Sequence, residues 1–367
     1  MGNAANRRLI AVVDSNRRHR SELNTALTSF YDICDFSDGR SAQKALKDAP
    51  PAVIVFGEEV EPTNCINFMK ELRAIPALRF TPLLQIIHSK NLRLIDQSRE
   101  TGACEILTKP YRRSDLIGKI STMLNAGVED AWENLPDLQR QALQNSIGVF
   151  NNIADALMTG ESIAFNSVKD NCQPLVAAVE NNDFKSILDG VRDHDDYTYA
   201  HSMRVATMLT LLGHAAGFKN DDQLLLSSGG LLHDVGKMNI PHHILNKPGR
   251  LNDEEFEVMK SHVTGTVDYL QKVDDIPKAV FIIAEQHHEK IDGTGYPHGL
   301  KGKELNELSR MAAIVDVFSA LTDRRVYKDP MDASKAVRIM TEEMSGHLDQ
   351  HYVKMFKTIL VDAKLLA

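Results

Sequence analysis

No apolar run in the 367-residue chain approaches the ~18 residues that a membrane-spanning helix needs. Met1 to Arg8 holds no apolar core of a signal peptide, and Leu9 to Val13 is too short to be one, so a soluble, cytoplasmic protein is expected. Positive charge is not in excess. With 42 basic residues against 50 acidic ones the net charge is −8, which argues against broad electrostatic binding to DNA or to an anionic membrane. An anionic substrate would then need a local positive centre, which bound metal would supply. Cysteine is scarce: Cys34, Cys65, Cys104 and Cys172 show no C-x-x-C spacing, as expected of free thiols in a reducing compartment. There is no Gly/Ser-rich linker, no low-complexity tract and no internal repeat.

What is present is ordinary in bulk and unusual in one residue type. Hydrophobic residues make up 43% and charged residues 25%, and the length suits two or three domains, each able to bury a core. Ten of the 14 histidines lie between His194 and His298.

In the N-terminal third, Arg8 to Asp14 is a short apolar run ending at an acid, as a buried parallel strand does. Ala52 to Phe56, Leu83 to Ile87 and Glu105 to Thr108 give three further strands. Helical segments fall at Arg17 to Ser29, Ser41 to Lys47, Cys65 to Ala74 and Leu92 to Thr101. This alternation predicts an α/β doubly wound parallel sheet covered on both faces. The stretch 7–125 resembles a response-regulator receiver domain, on the strand ending at Asp14, on Thr81-Pro82 and on Thr108-Lys109-Pro110-Tyr111. The resemblance implies a phosphoryl contact for Lys109. Other positions depart from it. The acidic pair is reduced to Asp14-Ser15, Gly57 occupies the phosphoacceptor slot, and Ile87 or His88 stands where a switch Ser/Thr belongs. Glu58 and Glu59 are near but misplaced. The expectation for residues 1–126 is a pseudo-receiver that keeps the fold, lacks acyl-phosphate chemistry and serves an interaction or another input.

Residues 127–188 read as a helical connector. Leu135, Ala142, Val149 and Ala156 fall seven apart, but other apolar positions break a strict heptad. Dimerisation through a long helix and ordinary packing within one chain both fit.

From residue 189 to 367 the pattern is helical, and the histidines fall at informative places. His233-Asp234 sits in Leu231 to Lys237. Alone, that heptapeptide also fits a helix C-terminus with Gly236 as the stop. His201, His262, His287-His288 and Asp316 stand at helix ends or in apolar helices, where a lone histidine is usually a satisfied core residue. A carboxylate such as Asp316 is costly to bury without a partner. Together these five histidines and two aspartates are a set of the right size for two metals, and imidazole with carboxylate suits Fe, Mn or Zn. Two ions ~3.5–4 Å apart can clamp a phosphodiester and hold a bridging hydroxide.

Residues 189–361 resemble an HD-GYP domain. The resemblance rests on Tyr197 to Ala206, His233-Asp-Val-Gly-Lys237, Ile244 to Leu251, Met259-Lys-Ser-His262 and His287-His-Glu-Lys-Ile-Asp-Gly-Thr-Gly-Tyr296-Pro297. It implies an all-α HD-superfamily fold and hydrolysis of cyclic di-GMP to pGpG, with GMP as a further product. It implies His201, His233, Asp234, His262, His287, His288 and Asp316 as metal ligands, with Asp234 as the bridge. It also implies Lys237 at the scissile phosphate or leaving group, and Arg325 and Lys328 at substrate phosphates. Gly295 and Tyr296 read as a wall of the substrate pocket or a docking face. Departures are Tyr197, where some members place a third-metal glutamate, His242 after Ile240-Pro241, and Ser319 in place of a second aspartate; His194, two turns before His201, is a candidate helper. The alternative function is a catalytically weak cyclic-dinucleotide sensor or a scaffold that docks a diguanylate cyclase.

Overall fold

The computed structural model describes residues 9–28, 31–101, 104–192, 194–245, 247, 249–323 and 330–366. They fall into two compact units that divide between Gly127 and Val128.

The first unit alternates strand and helix: β1 (Leu9–Val13), α1 (Arg17–Leu27), β2 (Asp32–Phe36), α2 (Gly39–Leu46), β3 (Val53–Phe56), α3 (Cys65–Ala74), β4 (Leu83–His88), α4 (Leu92–Thr101), β5 (Glu105–Lys109) and α5 (Arg113–Trp132). The strands pair in parallel in the order β2-β1-β3-β4-β5. Side chains alternate across the sheet. Ala11, Val13, Ile54 and Phe56 pack under Ala42, Leu46, Phe68 and Met69 of α2 and α3. Ile10, Val12, Val53 and Val55 pack under Leu23 and Leu27 of α1 and Leu116 and Ile120 of α5. Burial on both faces is why these strands read as unbroken apolar runs.

β2 corrects the four-strand expectation. Its sequence, Asp-Ile-Cys-Asp-Phe, lies on the sheet edge with Asp32 and Asp35 exposed, so no apolar run marks it. Backbone pairing to β1 makes it a strand; its composition does not.

The second unit is helical: α6 (Asp137–Thr159), α7 (Phe165–Asn171), α8 (Gln173–Glu180), α9 (Lys185–Gly190), α10 (Tyr197–Ala215), α11 (Asp221–Leu232), α12 (His242–Leu245), α13 (Asp253–Leu270), α14 (Lys278–Gln286), α15 (Glu307–Thr322), α16 (Ala333–Glu342) and α17 (Gln350–Asp362). α10 is its axis, buried from Tyr199 to Gly213 except at Arg204. The Thr207 and Thr210 hydroxyls donate to the carbonyls of Met203 and Ala206, so polar groups inside the unit stay satisfied. α11 crosses α10 closely at Gly230, where a Cβ would lie 2.6 Å from Ala206 Cα. Of the apolar positions on α6, Ala142, Leu143, Val149, Phe150, Ile153 and Ala156 are buried in this same core. The residues that suggested a partner helix are thus used in packing within the chain.

Candidate metal centre

The heptapeptide around His233-Asp234 is a junction between a helix and a tight turn. α11 ends at Leu232, His233 caps it, and Asp234 takes φ −115° and ψ 10° before a 3-10 turn over Val235–Asn239. Gly236 is not a left-handed helix stop, because its φ is not positive. It lets the turn press onto α13: a Cβ there would lie 2.1 Å from the His262 carbonyl oxygen, and its N–H donates to Thr266 Oγ1 at 2.9 Å. Glycines at 230 and 236 therefore let His233 and Asp234 sit against α10 and α13 at once.

Seven side chains meet there, from α10 (His201), the α11 junction (His233, Asp234), α13 (His262), the end of α14 (His287, His288) and α15 (Asp316). They form two groups of four that share Asp234, each with donor atoms within 4.8 Å of one another. Asp234 Oδ2 faces His201 Nε2 at 3.4 Å and His233 Nε2 at 3.2 Å. Its Oδ1 faces His262 Nε2 at 3.2 Å and His287 Nε2 at 3.7 Å. Asp316 Oδ1 lies 3.0 Å from His201 Nε2, and its Oδ2 lies 3.6 Å from His288 Nδ1. Lys237 Nζ pairs with Asp234 Oδ2.

Burial would discharge all of these groups, and their mutual field decides which stay charged. Burial opposes charge on His233, but Asp234 and then Asp316 outweigh it and push the ring up to about 9. Burial likewise opposes charge on Asp234, yet His233 and Lys237 hold its carboxyl well below the usual range. Asp316, against the same penalty, is held low by His201 and His233. Burial, then His288 and His233, keeps His287 neutral, and burial lowers His288 to about 3 although Asp316 opposes it. His233 is thus held charged between two carboxylates, while His287 and His288 are held neutral.

The cage fits a metal by a direct criterion. His233 Nε2, His287 Nε2 and Asp234 Oδ1 are buried and have no hydrogen-bond partner. Orphaned donors and acceptors this deep are costly unless a ligand engages them. Lone pairs converging from imidazoles and carboxylates are a cation's environment.

The loop after His288 has its own support. The Glu289 carboxylate accepts N–H groups from His298 at 2.6 Å, Gly299 at 3.1 Å and Leu300 at 3.0 Å. Gly295 has no room for a side chain, since a Cβ would lie 2.4 Å from Lys290 N. The Tyr296 ring rests 4.7 Å from the His288 ring and edge-on to Phe256, with Lys260 Nζ above both aromatics. Burial foremost, then Asp316 and Asp234, pushes the Tyr296 hydroxyl upward.

Arg325 and Lys328 lie outside the described residues. His194 is away from the cage. It stacks on Trp132 at 6.1 Å and faces Glu129 at 3.3 Å. Tyr197 stacks on His201 at 5.8 Å, so an aromatic face fills the position considered for a third-metal glutamate. Ser319 is buried, its hydroxyl 3.9 Å from Met208 Sδ. Sequence reasoning missed Asp323, which faces His201 Nδ1 at 3.1 Å, and the role of Glu289. For Asp323 the available signal was its spacing of seven from Asp316, two helical turns on one face.

In the first unit, Asp14, Gly57, His88 and Lys109 stand at the carboxyl ends of β1, β3, β4 and β5, the place where open α/β sheets bind ligands. A Cβ at Gly57 would lie 1.9 Å from Asp14 Oδ2, so the Asp14 carboxylate fills the space that a side chain at position 57 would take. Asp14 Oδ1 accepts the Asn16 N–H at 2.8 Å, and Oδ2 pairs with His19 Nδ1.

Residues 185–352 match the HD domain family. Over 168 residues the chain is 39% identical to a cyclic di-GMP phosphodiesterase of Pseudomonas aeruginosa, covering 45% of this chain and 40% of that protein. Over 164 residues it is 35% identical to 3′3′-cGAMP-specific phosphodiesterase 3 of Vibrio cholerae, covering 45% and 35%. A likeness through both units joins it to the cyclic di-GMP phosphodiesterase response regulator RpfG of Xanthomonas campestris, 25% identical over 333 residues, covering 89% and 82%. The chain spans less than half the length of the first two relatives. The helical second unit contains the HD domain, matched over residues 185–352. The HD-domain match, the phosphodiesterase relatives and the parallel sheet ahead of the HD domain support an HD-GYP protein with an N-terminal receiver domain.

Proposed function

We propose that the chain is a metal-dependent phosphodiesterase that opens cyclic di-GMP to linear pGpG, with GMP as the product of any second cleavage. The observation behind this reading is Asp234, fully buried, with one carboxylate oxygen toward each of two donor groups. His201, His233, Asp234 and Asp316 would hold one divalent ion, and Asp234, His262, His287 and His288 the other. Two such ions, Fe or Mn on a cysteine-free donor set, would supply Lewis acidity toward the phosphoryl oxygens and acidify a water.

The remaining work falls to side chains. The Lys237 side chain is 15% exposed while its Nζ touches Asp234, so it borders both cage and solvent. From there it meets the scissile phosphate and gives a proton to the leaving 3′ oxygen. Arg325 and Lys328 hold the substrate phosphates. Gly295 keeps the loop close, and Tyr296 offers a flat wall to a guanine.

A second reading, a weakly catalytic sensor or a scaffold docking a diguanylate cyclase, is favoured by Phe256, 45% exposed beside Tyr296. A cytoplasmic site and the absence of DNA or membrane partners complete the proposal. Its four free thiols suit a reducing compartment, and no helix among the described residues is long and apolar enough to cross a membrane.

The test is anaerobically metallated protein incubated with cyclic di-GMP and, separately, 3′3′-cGAMP, with products resolved by chromatography. The expected product from cyclic di-GMP is pGpG with Fe or Mn. No turnover with either metal overturns the enzyme reading, and binding without hydrolysis supports the scaffold. Faster cleavage of 3′3′-cGAMP would reassign the substrate.

A further inference from the structure

Resting on the reading of the cage as a metal centre, we propose that Asp323 is a positioning residue that makes the two subsites unequal. The subsite of His201, His233, Asp234 and Asp316 then takes its ion first and holds it more tightly.

The imidazoles are fixed in two different ways. His233, His262 and His287 each give Nδ1 to a backbone carbonyl, of Gly230 at 2.8 Å, Met259 at 2.6 Å and Ala284 at 3.0 Å. His201 gives Nδ1 to a carboxylate, Asp323 Oδ2 at 3.1 Å, while its Nε2 points to Asp316 Oδ1 at 3.0 Å. A carbonyl sets the tautomer. A carboxylate also places negative charge behind the ring and strengthens it as a donor.

The helix geometry explains how Asp323 can stand there. It lies seven residues after Asp316, just past the end of α15, and its N–H donates to the Ser319 carbonyl at 2.7 Å. The carbonyl end of a helix disfavours an anion. Arg204, three residues after His201 on α10, offsets this by pairing its Nε with Asp323 Oδ1, and its Nη2 donates to Thr322 Oγ1 at 3.1 Å. The ion pair therefore clamps the two helices that supply His201 and Asp316. One subsite has two carboxylates of its own group and a third behind His201. The other has three imidazoles and only the shared Asp234. The more anionic set holds a hard divalent cation more strongly.

Metal-free full-length chain is titrated with Mn2+, followed by calorimetry and by the EPR signal of free Mn2+. Wild type is expected to bind in two steps, and His262→Ala to keep the tight step and lose the weak one. Asp323→Asn is expected to weaken the tight step by about 10- to 100-fold, as loss of such an outer partner does. It should leave the weak step unchanged, and Asp323→Glu should restore the tight step. Equal affinities in wild type, or Asp323→Asn titrating like wild type, overturns the proposal. If the Asp323 variants do not fold, the wild-type and His262→Ala titrations decide it. A wild type that binds no Mn2+ overturns the metal-centre reading itself. Two-step binding without cleavage of cyclic di-GMP leaves this inference standing and removes the substrate.

Discussion

Asp14 and Asp234 are both aspartates sealed inside the protein, 2% and 0% exposed, each followed by a tight turn. Their surroundings differ in one respect. Asp14 has a partner on each oxygen, the Asn16 N–H and His19, and it lies over Gly57. Asp234 Oδ1 has no hydrogen bond at all, and neither do His233 Nε2 and His287 Nε2 around it. A buried carboxylate whose needs are met by the chain is part of the structure. One that is left short is waiting for a ligand. In the first unit Asp14 is satisfied by the chain's own groups, while in the second Asp234 Oδ1 is not.

Removing the shared carboxylate gives the largest effect. Asp234→Ala is expected to lose both metals together and to lower turnover of the proposed substrate by about a thousandfold or more. His262→Ala, which belongs to one group, should empty one subsite and cost about a hundredfold. Metal analysis and product assay on the same preparations check both. Independent, undiminished occupancy of either subsite in Asp234→Ala would show that Asp234 is not the bridge.

The cage should also respond to pH. His233 titrates at about 9 in the metal-free fold against an ordinary value of 6.5. A ligand imidazole must be neutral, so metal has to displace this proton, and affinity should rise about tenfold per pH unit up to about 9. The metal-free chain should do the opposite. A raised pKa gives stability that is complete below the unfolded value of 6.5 and lost as pH rises through about 9. Calorimetry in buffers of different ionisation enthalpy should register proton release on binding. Metal binding that is independent of pH between 6.5 and 9 would mean that His233 is not a ligand.

The surroundings of Asp14 are broken differently. Gly57→Asp restores an acceptor in name, but its Cβ would collide with Asp14 Oδ2. Overpacking with like charge should cost about 2 kcal/mol, read as a lower melting temperature of the first unit. Acetyl phosphate should label neither wild type nor this variant. Labelling of wild type would reopen the reading of this unit as non-phosphorylated.

The contrast between units also marks what the sequence discloses. Strands buried on both faces announce themselves, as Val53 to Phe56 does, whereas β2 takes its identity from a neighbour. The seven residues that the fold brings together were legible only as a set and through the resemblance, since a lone histidine in an apolar helix is usually a satisfied core residue and only Asp316 was costly by itself. Asp323 and Arg204 were not, because their meaning lies in a pairing between α10 and α15 across more than a hundred residues. His194 misled for the same reason: helical phase brought it near His201 on paper, but the chain before α10 turns it toward Trp132.

Glu289 provides the finest test of the distinction, because it directly follows two cage histidines and is itself only 3% exposed. Proximity in sequence would make it a third carboxylate of the metal centre. Its three accepted N–H groups make it a satisfied group like Asp14, holding the loop that carries Tyr296. Glu289→Gln keeps the shape, loses the charge and turns an amide donor toward backbone donors, at a cost of about 1 kcal/mol. Metal content should stay at the wild-type level, and KM for the cyclic dinucleotide should rise several-fold as the loop loosens, with kcat nearly unchanged. If Glu289→Gln loses metal while remaining folded, hydrogen-bond satisfaction does not separate structural carboxylates from functional ones in this protein, and Asp14 would have to be reconsidered with it.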